Sequence, residues 1–186
     1  MKISLLGDSI RWIGYGLKVP EMLGDEFKVF QPGENCRYAK YTMRMLHDAK
    51  GAFEGSRIVH WNNGLWDMER CCEAGFFSTE EEYVTSMSRI ADVLLSRHEK
   101  VIFATTTPTK GNPKFATNEE IAHYNSLIVP ILKEKGVIIN DLYSFVLENI
   151  DEYIRDDDKV HLSEVGIEAC AKEVADFIRE VAKTLN

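Results

Sequence analysis

Five short apolar runs punctuate the chain, at residues 3–6, 27–30, 58–61, 101–104 and 137–139, and each has the length and composition of a strand buried on both faces. Between them the apolar positions return every three to four residues. That spacing predicts helices over residues 17–24, 38–49, 80–96, 118–135 and 163–183. The last is the most regular: Val165, Ile167, Ala169, Ala171, Val174, Ala175, Ile178, Val181 and Ala182 make one apolar face, and Ser163 stands where a capping hydroxyl is needed. Strands alternating with helices imply a parallel sheet covered on both sides. In such a sheet, ligands bind in the crevice formed by loops at the carboxyl ends of the strands. Ser9 and residues 33–37, 62–67 and 105–108 are therefore expected on one rim. The longer loops are expected at residues 68–79, 105–117 and 151–162.

A chain of 186 residues can bury a substantial core in one α/β domain, and no repeat or linker divides it, so residues 1–186 are read as a single domain. No apolar stretch reaches the roughly 18 residues of a spanning helix. The segment from Met1 to Leu6 leads straight into the first strand with no signal-like region, which makes the cytoplasm the expected location. A net charge of −8 argues against nucleic acid and anionic membranes as partners, since phosphate binding requires clustered Lys and Arg. The cysteines Cys36, Cys71, Cys72 and Cys170 form no CxxC pair and have no histidine at zinc-like spacing, so they are read as thiols, with no metal site.

The chemistry concentrates at two distant points. Gly7-Asp8-Ser9 closes the first strand, where a turn lifts the Ser9 hydroxyl to the sheet edge, and His161 precedes the last helix behind three consecutive aspartates, Asp156, Asp157 and Asp158. A serine hydroxyl is a poor nucleophile near neutral pH. It needs a base within hydrogen-bond reach and a third group that fixes the imidazole. His161 supplies the base, and the three aspartates compete for the orienting role. Asp8 is expected to shape the turn around Ser9. Arg11, Arg37, Asn63 and Trp66 are placed to border the site and contact substrate, with Trp12, Trp61 and Tyr15 nearby.

Gly7-Asp8-Ser9 together with Asp158-Lys159-Val160-His161 resembles the first and last blocks of the GDSL or SGNH hydrolase superfamily. The resemblance spans nearly the whole chain, through Thr107-Pro108, Tyr124-Asn125, Asn140-Asp141-Leu142 and His161-Leu162-Ser163. It implies a three-layer α/β/α flavodoxin-like fold whose five parallel strands run in the order 2-1-3-4-5. It also selects Asp158 as the orienting carboxylate. The middle blocks depart from the common pattern. Cys36 stands where a glycine N–H usually helps bind the oxyanion, and Trp66 stands where the usual asparagine would be. His60-Trp61-Asn62-Asn63-Gly64-Leu65-Trp66-Asp67 resembles a divergent Asn-x-Gly-Leu-x-Asp subgroup, which assigns the side-chain donor to Asn62, with Asn63 as the alternative. An oxyanion hole of the Ser9 and Cys36 N–H groups and the Asn62 amide is thus implied.

The function so implied is a serine esterase acting through an acyl-serine, with no cofactor, on a small-molecule ester such as an acylated carbohydrate. The alternatives are an O-acyltransferase using the same acyl-serine and a catalytically silent binding module that keeps the fold.

Overall fold

The computed structural model describes residues 1–185, the side chain of Cys72 excepted. Strands β1 (Lys2–Gly7), β2 (Lys28–Phe30), β3 (Ile58–Asn62), β4 (Lys100–Ala104) and β5 (Ile138–Asn140) form one parallel sheet in the order β2-β1-β3-β4-β5. Burial follows from that order. The central strands β1, β3 and β4 are buried almost throughout, whereas the edge strands β2 and β5 are short and only partly covered.

The helices are α1 (Ser9–Trp12), α2 (Val19–Leu23), α3 (Ala39–Asp48), α4 (Lys50–Phe53), α5 (Glu80–Leu95), α6 (Asn118–Glu134), α7 (Leu142–Leu147), α8 (Ile150–Tyr153) and α9 (Glu164–Ala182). The chain steps from β1 to β2 in one direction and from β2 across to β3 in the other, so right-handed crossovers put the two sets of helices on opposite faces. Helices α2 and α9 pack together on one side, while α5 packs against both α3 and α6 on the other. The reversal lies between β1 and β3, and the crevice opens there.

The long helices begin where their sequences dictate. Thr79 and Thr117 each accept from the backbone three residues on, and Glu82 and Glu120 reach back in reciprocal capping boxes. Ser163 Oγ accepts from Gly166 N–H at 3.0 Å to start α9.

Two departures from the sequence pattern bear on the site. The expected helix at residues 17–24 is a 3₁₀ turn at Tyr15–Leu17 followed by α2, with Pro20 in the first turn. Short helices α1, α4, α7 and α8 also occupy stretches without a helical pattern, because four to six residues give periodicity too little length to register. The expected thiols Cys36 and Cys170 are buried, unbridged cysteines. Among the described residues, no helix is long and apolar enough to cross a membrane.

Candidate active site

Ser9 leaves β1 as the first residue of α1, and Asp8 caps that turn: its Oδ1 accepts the Ile10 N–H at 2.9 Å and the Asn62 amide at 2.7 Å. Gly7 is required by what lies beside it. A Cβ at this position would stand 1.9 Å from Asn62 Oδ1. Gly64 has a positive φ of 142°, and a Cβ there would meet Thr106 Oγ1 at 2.1 Å. Thr106 Oγ1 donates to the Asn63 carbonyl, while its backbone pairs with the Asn125 amide, so the ends of β3 and β4 and helix α6 are joined behind the crevice.

The loop before α9 brings His161 to Ser9 from the other end of the chain. Its course is fixed by an antiparallel bridge between Ile154 and Leu162 and by donation from Arg155 N–H to the His161 carbonyl at 2.9 Å. From outside, Lys110 N–H reaches the Lys159 carbonyl at 2.8 Å and Asn112 Nδ2 reaches that of Asp158 at 2.7 Å. Lys159 sits in the left-handed region at φ 61°, a conformation that costs a non-glycine residue on the order of 1 kcal/mol and that this surrounding web sustains.

The outcome is a hydrogen-bonded line. Ser9 Oγ lies 2.9 Å from His161 Nε2, and His161 Nδ1 lies 2.8 Å from Asp158 Oδ2. The other carboxylate oxygen, Asp158 Oδ1, accepts the backbone N–H groups of Val160 and His161, both at 2.9 Å. Partial burial opposes the Asp158 charge, but these bonds outweigh it and hold the carboxyl down at about 2. A carboxylate that is always ionised near neutrality keeps a proton on Nδ1 and leaves Nε2 to accept from Ser9. The rival aspartates face elsewhere: Asp157 is paired with Arg155, and the exposed Asp156 with Lys110.

Ser9 and His161 open onto a cleft of about 280 Å³ lined also by Trp12, Ile13, Asn35, Leu65, Trp66, Glu69, Phe115 and Val160. A larger depression of about 440 Å³ lies between α6 and α7, but its serines are engaged, Ser126 with the His123 carbonyl and Ser144 with Asp141.

Several expected site residues fall outside the cleft. Arg11 is fully buried. Its guanidinium donates to the carbonyls of Pro32, Gly7 and Glu34 at 2.8, 3.0 and 2.7 Å, so it fastens the loop after β2 to the Ser9 turn and does not face substrate. Asn63 is buried too. Its amide donates to the Arg37 carbonyl, and its Oδ1 accepts from Thr42 and Trp61. Arg37 is exposed with its guanidinium over the Tyr41 ring at 4.9 Å, outside the lining. Trp61 and Tyr15 belong to the core, whereas Trp12 and Trp66 do line the cleft.

The oxyanion donors need similar sorting. The Ser9 N–H, in the first turn of α1, lacks an intrahelical acceptor. The Cys36 N–H, by contrast, donates to the Gly7 carbonyl at 3.1 Å, so it reaches an oxyanion only by leaving that bond. Asn62 gives one amide hydrogen to Asp8 and accepts the Tyr15 hydroxyl at 2.9 Å, leaving its second amide hydrogen without an acceptor among the described residues. Asn35, beside Cys36, was not among the sequence candidates. It lines the cleft, its Oδ1 accepts the Arg37 N–H at 2.7 Å, and its amide is uncommitted.

Behind the site lie two buried carboxyls. Burial pushes Asp8 up to about 6 against the bonds from Ile10 and Asn62, and Asp67 up to about 7 against those from Ser78 and the Ala39 N–H. Each is held above its ordinary value near 3.8, so the folded state binds the proton more tightly than the unfolded chain. The stability linked to each is full below pH 4 or so and is lost as pH rises through the folded value. For Asp67→Asn we expect a flatter profile: between pH 5 and 8 the wild type should lose on the order of 2–3 kcal/mol more than the variant. Thermal unfolding across that range checks this, and parallel curves would exclude it.

The fold is that of the GDSL and SGNH hydrolases. No family model matches the sequence. No curated protein matches it either. Among solved structures, a lipase/acylhydrolase from Enterococcus faecalis superposes with a TM-score of 0.80 at 19% identity, over 96% of this chain and 95% of that one. An acetylxylan esterase from Geobacillus stearothermophilus gives 0.76 at 18% identity, over 97% and 93%. A GDSL-like lipase from Bacteroides thetaiotaomicron gives 0.75 at 17% identity, over 97% and 88%. Two further structures of the Geobacillus enzyme are catalytic mutants, one with a histidine and one with a serine replaced by alanine.

Proposed function

We propose that the protein is a GDSL/SGNH-type serine esterase that cleaves a small ester through an acyl-serine at Ser9. The observation that carries this reading is the line from Ser9 through His161 to Asp158, at 2.9 and 2.8 Å, on the wall of a cleft. His161 Nε2 takes the Ser9 proton as Oγ attacks the ester carbonyl, and Asp158 stabilises the imidazolium. The Ser9 N–H and the second Asn62 N–H hold the developing oxyanion, with the Asn35 amide as the further donor beside it and the Cys36 N–H joining only if it leaves Gly7. Collapse expels the alcohol oxygen with the proton from His161. A water molecule, deprotonated by the same imidazole, then attacks the acyl-serine and releases the acid.

The cleft is small and mainly apolar, which suits a short acyl group more than a long chain. Trp12 and Trp66 offer flat faces for a sugar ring, in keeping with an acylated carbohydrate, the class on which the Geobacillus neighbour acts. An activated fluorophosphonate should phosphonylate Ser9 stoichiometrically, located by mass spectrometry of the Ser9 peptide. An unlabelled Ser9 in the folded protein would leave a ligand-binding module as the better reading. Product analysis with sugar acceptors separates hydrolysis from acyl transfer.

A further inference from the structure

Glu69 stands in the wall of the cleft and has no part in the chemistry above. It is half-buried, and its backbone is tied by an antiparallel bridge to Phe115 on the opposite loop, so it belongs to a fixed part of the wall. Its carboxylate has no hydrogen-bond or ion-pair partner among the described residues. Besides Ser9, His161 and Asn35, its neighbours in the lining are the apolar side chains Trp12, Ile13, Leu65, Trp66, Phe115 and Val160, with no Lys or Arg.

Lys114 and Lys159, next in the chain to Phe115 and Val160, are exposed and outside the lining, and the other nearby cations are engaged. Arg70, next in the chain, turns to Glu120 at 2.7 Å and stacks over the Phe76 ring at 4.6 Å. Arg155 pairs with Asp157, Lys110 with Asp156, Arg37 lies over Tyr41, and Arg11 is buried among carbonyls. An uncompensated carboxylate against aromatic walls is screened less than one in open water, and the field of a chain with net charge −8 has the same sign.

We infer that Glu69 is a specificity determinant that makes the cleft select esters by charge, admitting uncharged ones and rejecting those with a carboxylate on the acyl or alcohol part. The inference rests on the esterase reading. Attack by Ser9 Oγ creates a negative oxygen in the same cleft, so an anionic substrate would place a second negative charge near both it and Glu69. The discrimination therefore acts on kcat/KM.

The matched substrates are methyl 4-acetoxybenzoate, which is neutral, and 4-acetoxybenzoate, which carries a carboxylate on the leaving alcohol. We expect Glu69→Gln to raise the ratio of kcat/KM for the anionic over the neutral ester by about three- to tenfold, and Glu69→Lys to raise it further. In the wild type alone, added sodium chloride should narrow the gap between the substrates, because screening weakens the repulsion. A ratio unchanged in both folded variants overturns the inference while leaving the esterase reading intact. Wild-type inactivity on the neutral ester would instead overturn the esterase reading, and this inference with it.

Discussion

Replacing Ser9 with alanine should lower kcat/KM for p-nitrophenyl acetate by at least ~10³-fold, and His161→Ala should cost about as much. In the proposed mechanism the two side chains work as one unit. Without the hydroxyl there is no atom to carry the acyl group, and without the imidazole the hydroxyl keeps its proton and attacks poorly. The double variant should accordingly be no worse than either single one. Asp158→Asn should cost about as much, since with its oxygen still accepting the Val160 and His161 N–H groups the amide N–H would face His161 Nδ1 and put the imidazole proton on Nε2, the nitrogen that must accept from Ser9. Initial-rate measurements on variants whose unfolding matches the wild type would decide the matter. Activity that survives both Ser9→Ala and His161→Ala would remove the mechanism.

The second large effect concerns stability. Arg11→Ala should destabilise the fold by about 3–5 kcal/mol, read as a lower midpoint in urea with little change in slope. The side chain is buried and holds the carbonyls of Gly7, Pro32 and Glu34 at once, so its removal strands three acceptors and opens a cavity between the Ser9 turn and the loop after β2. Lysine should not rescue the loss, because one ammonium cannot reproduce the planar fork that spans these acceptors. Activity should fall as well, through displacement of Ser9. A midpoint shift worth less than about 1 kcal/mol would mean the loop has other fastenings.

Arg11 also marks the limit of what the linear sequence discloses. Arginine on the chain two residues after Ser9 looks like a surface group bordering a site, and its burial depends on carbonyls from residues 32–34 converging on it, which no local pattern encodes. The sheet was far more legible. Continuous apolar runs such as Val59 with its neighbours in β3 can only be satisfied between two helical layers, and their alternation with long capped helices leaves few topologies. Ser9, Asp158 and His161 were visible because short motifs at strand and helix ends carry them, and the structure brings all three into bonding distance. Asn35 falls on the expected rim at residues 33–37, though no motif marks its amide, whereas Glu69 and Phe115 carry no such signal. They reach the cleft through loop-to-loop pairing, including the bridge between Glu69 and Phe115, and long-range pairing of irregular backbone leaves no periodic trace.

The bond between Ser9 and His161 joins residues 152 positions apart, and the segment that delivers His161 is fastened through Lys110 and Asn112 as well as through its own bridge. The two halves of the site are therefore held by separate sets of contacts. The hydroxyl is placed by β1 and its turn, whereas its base is placed by the distant strap, so a chain with the strap undocked would hold Ser9 without the imidazole that activates it. By the same logic, catalysis reports on the docking of one peripheral strap, and turnover can vanish through local release while the parallel sheet beneath remains whole.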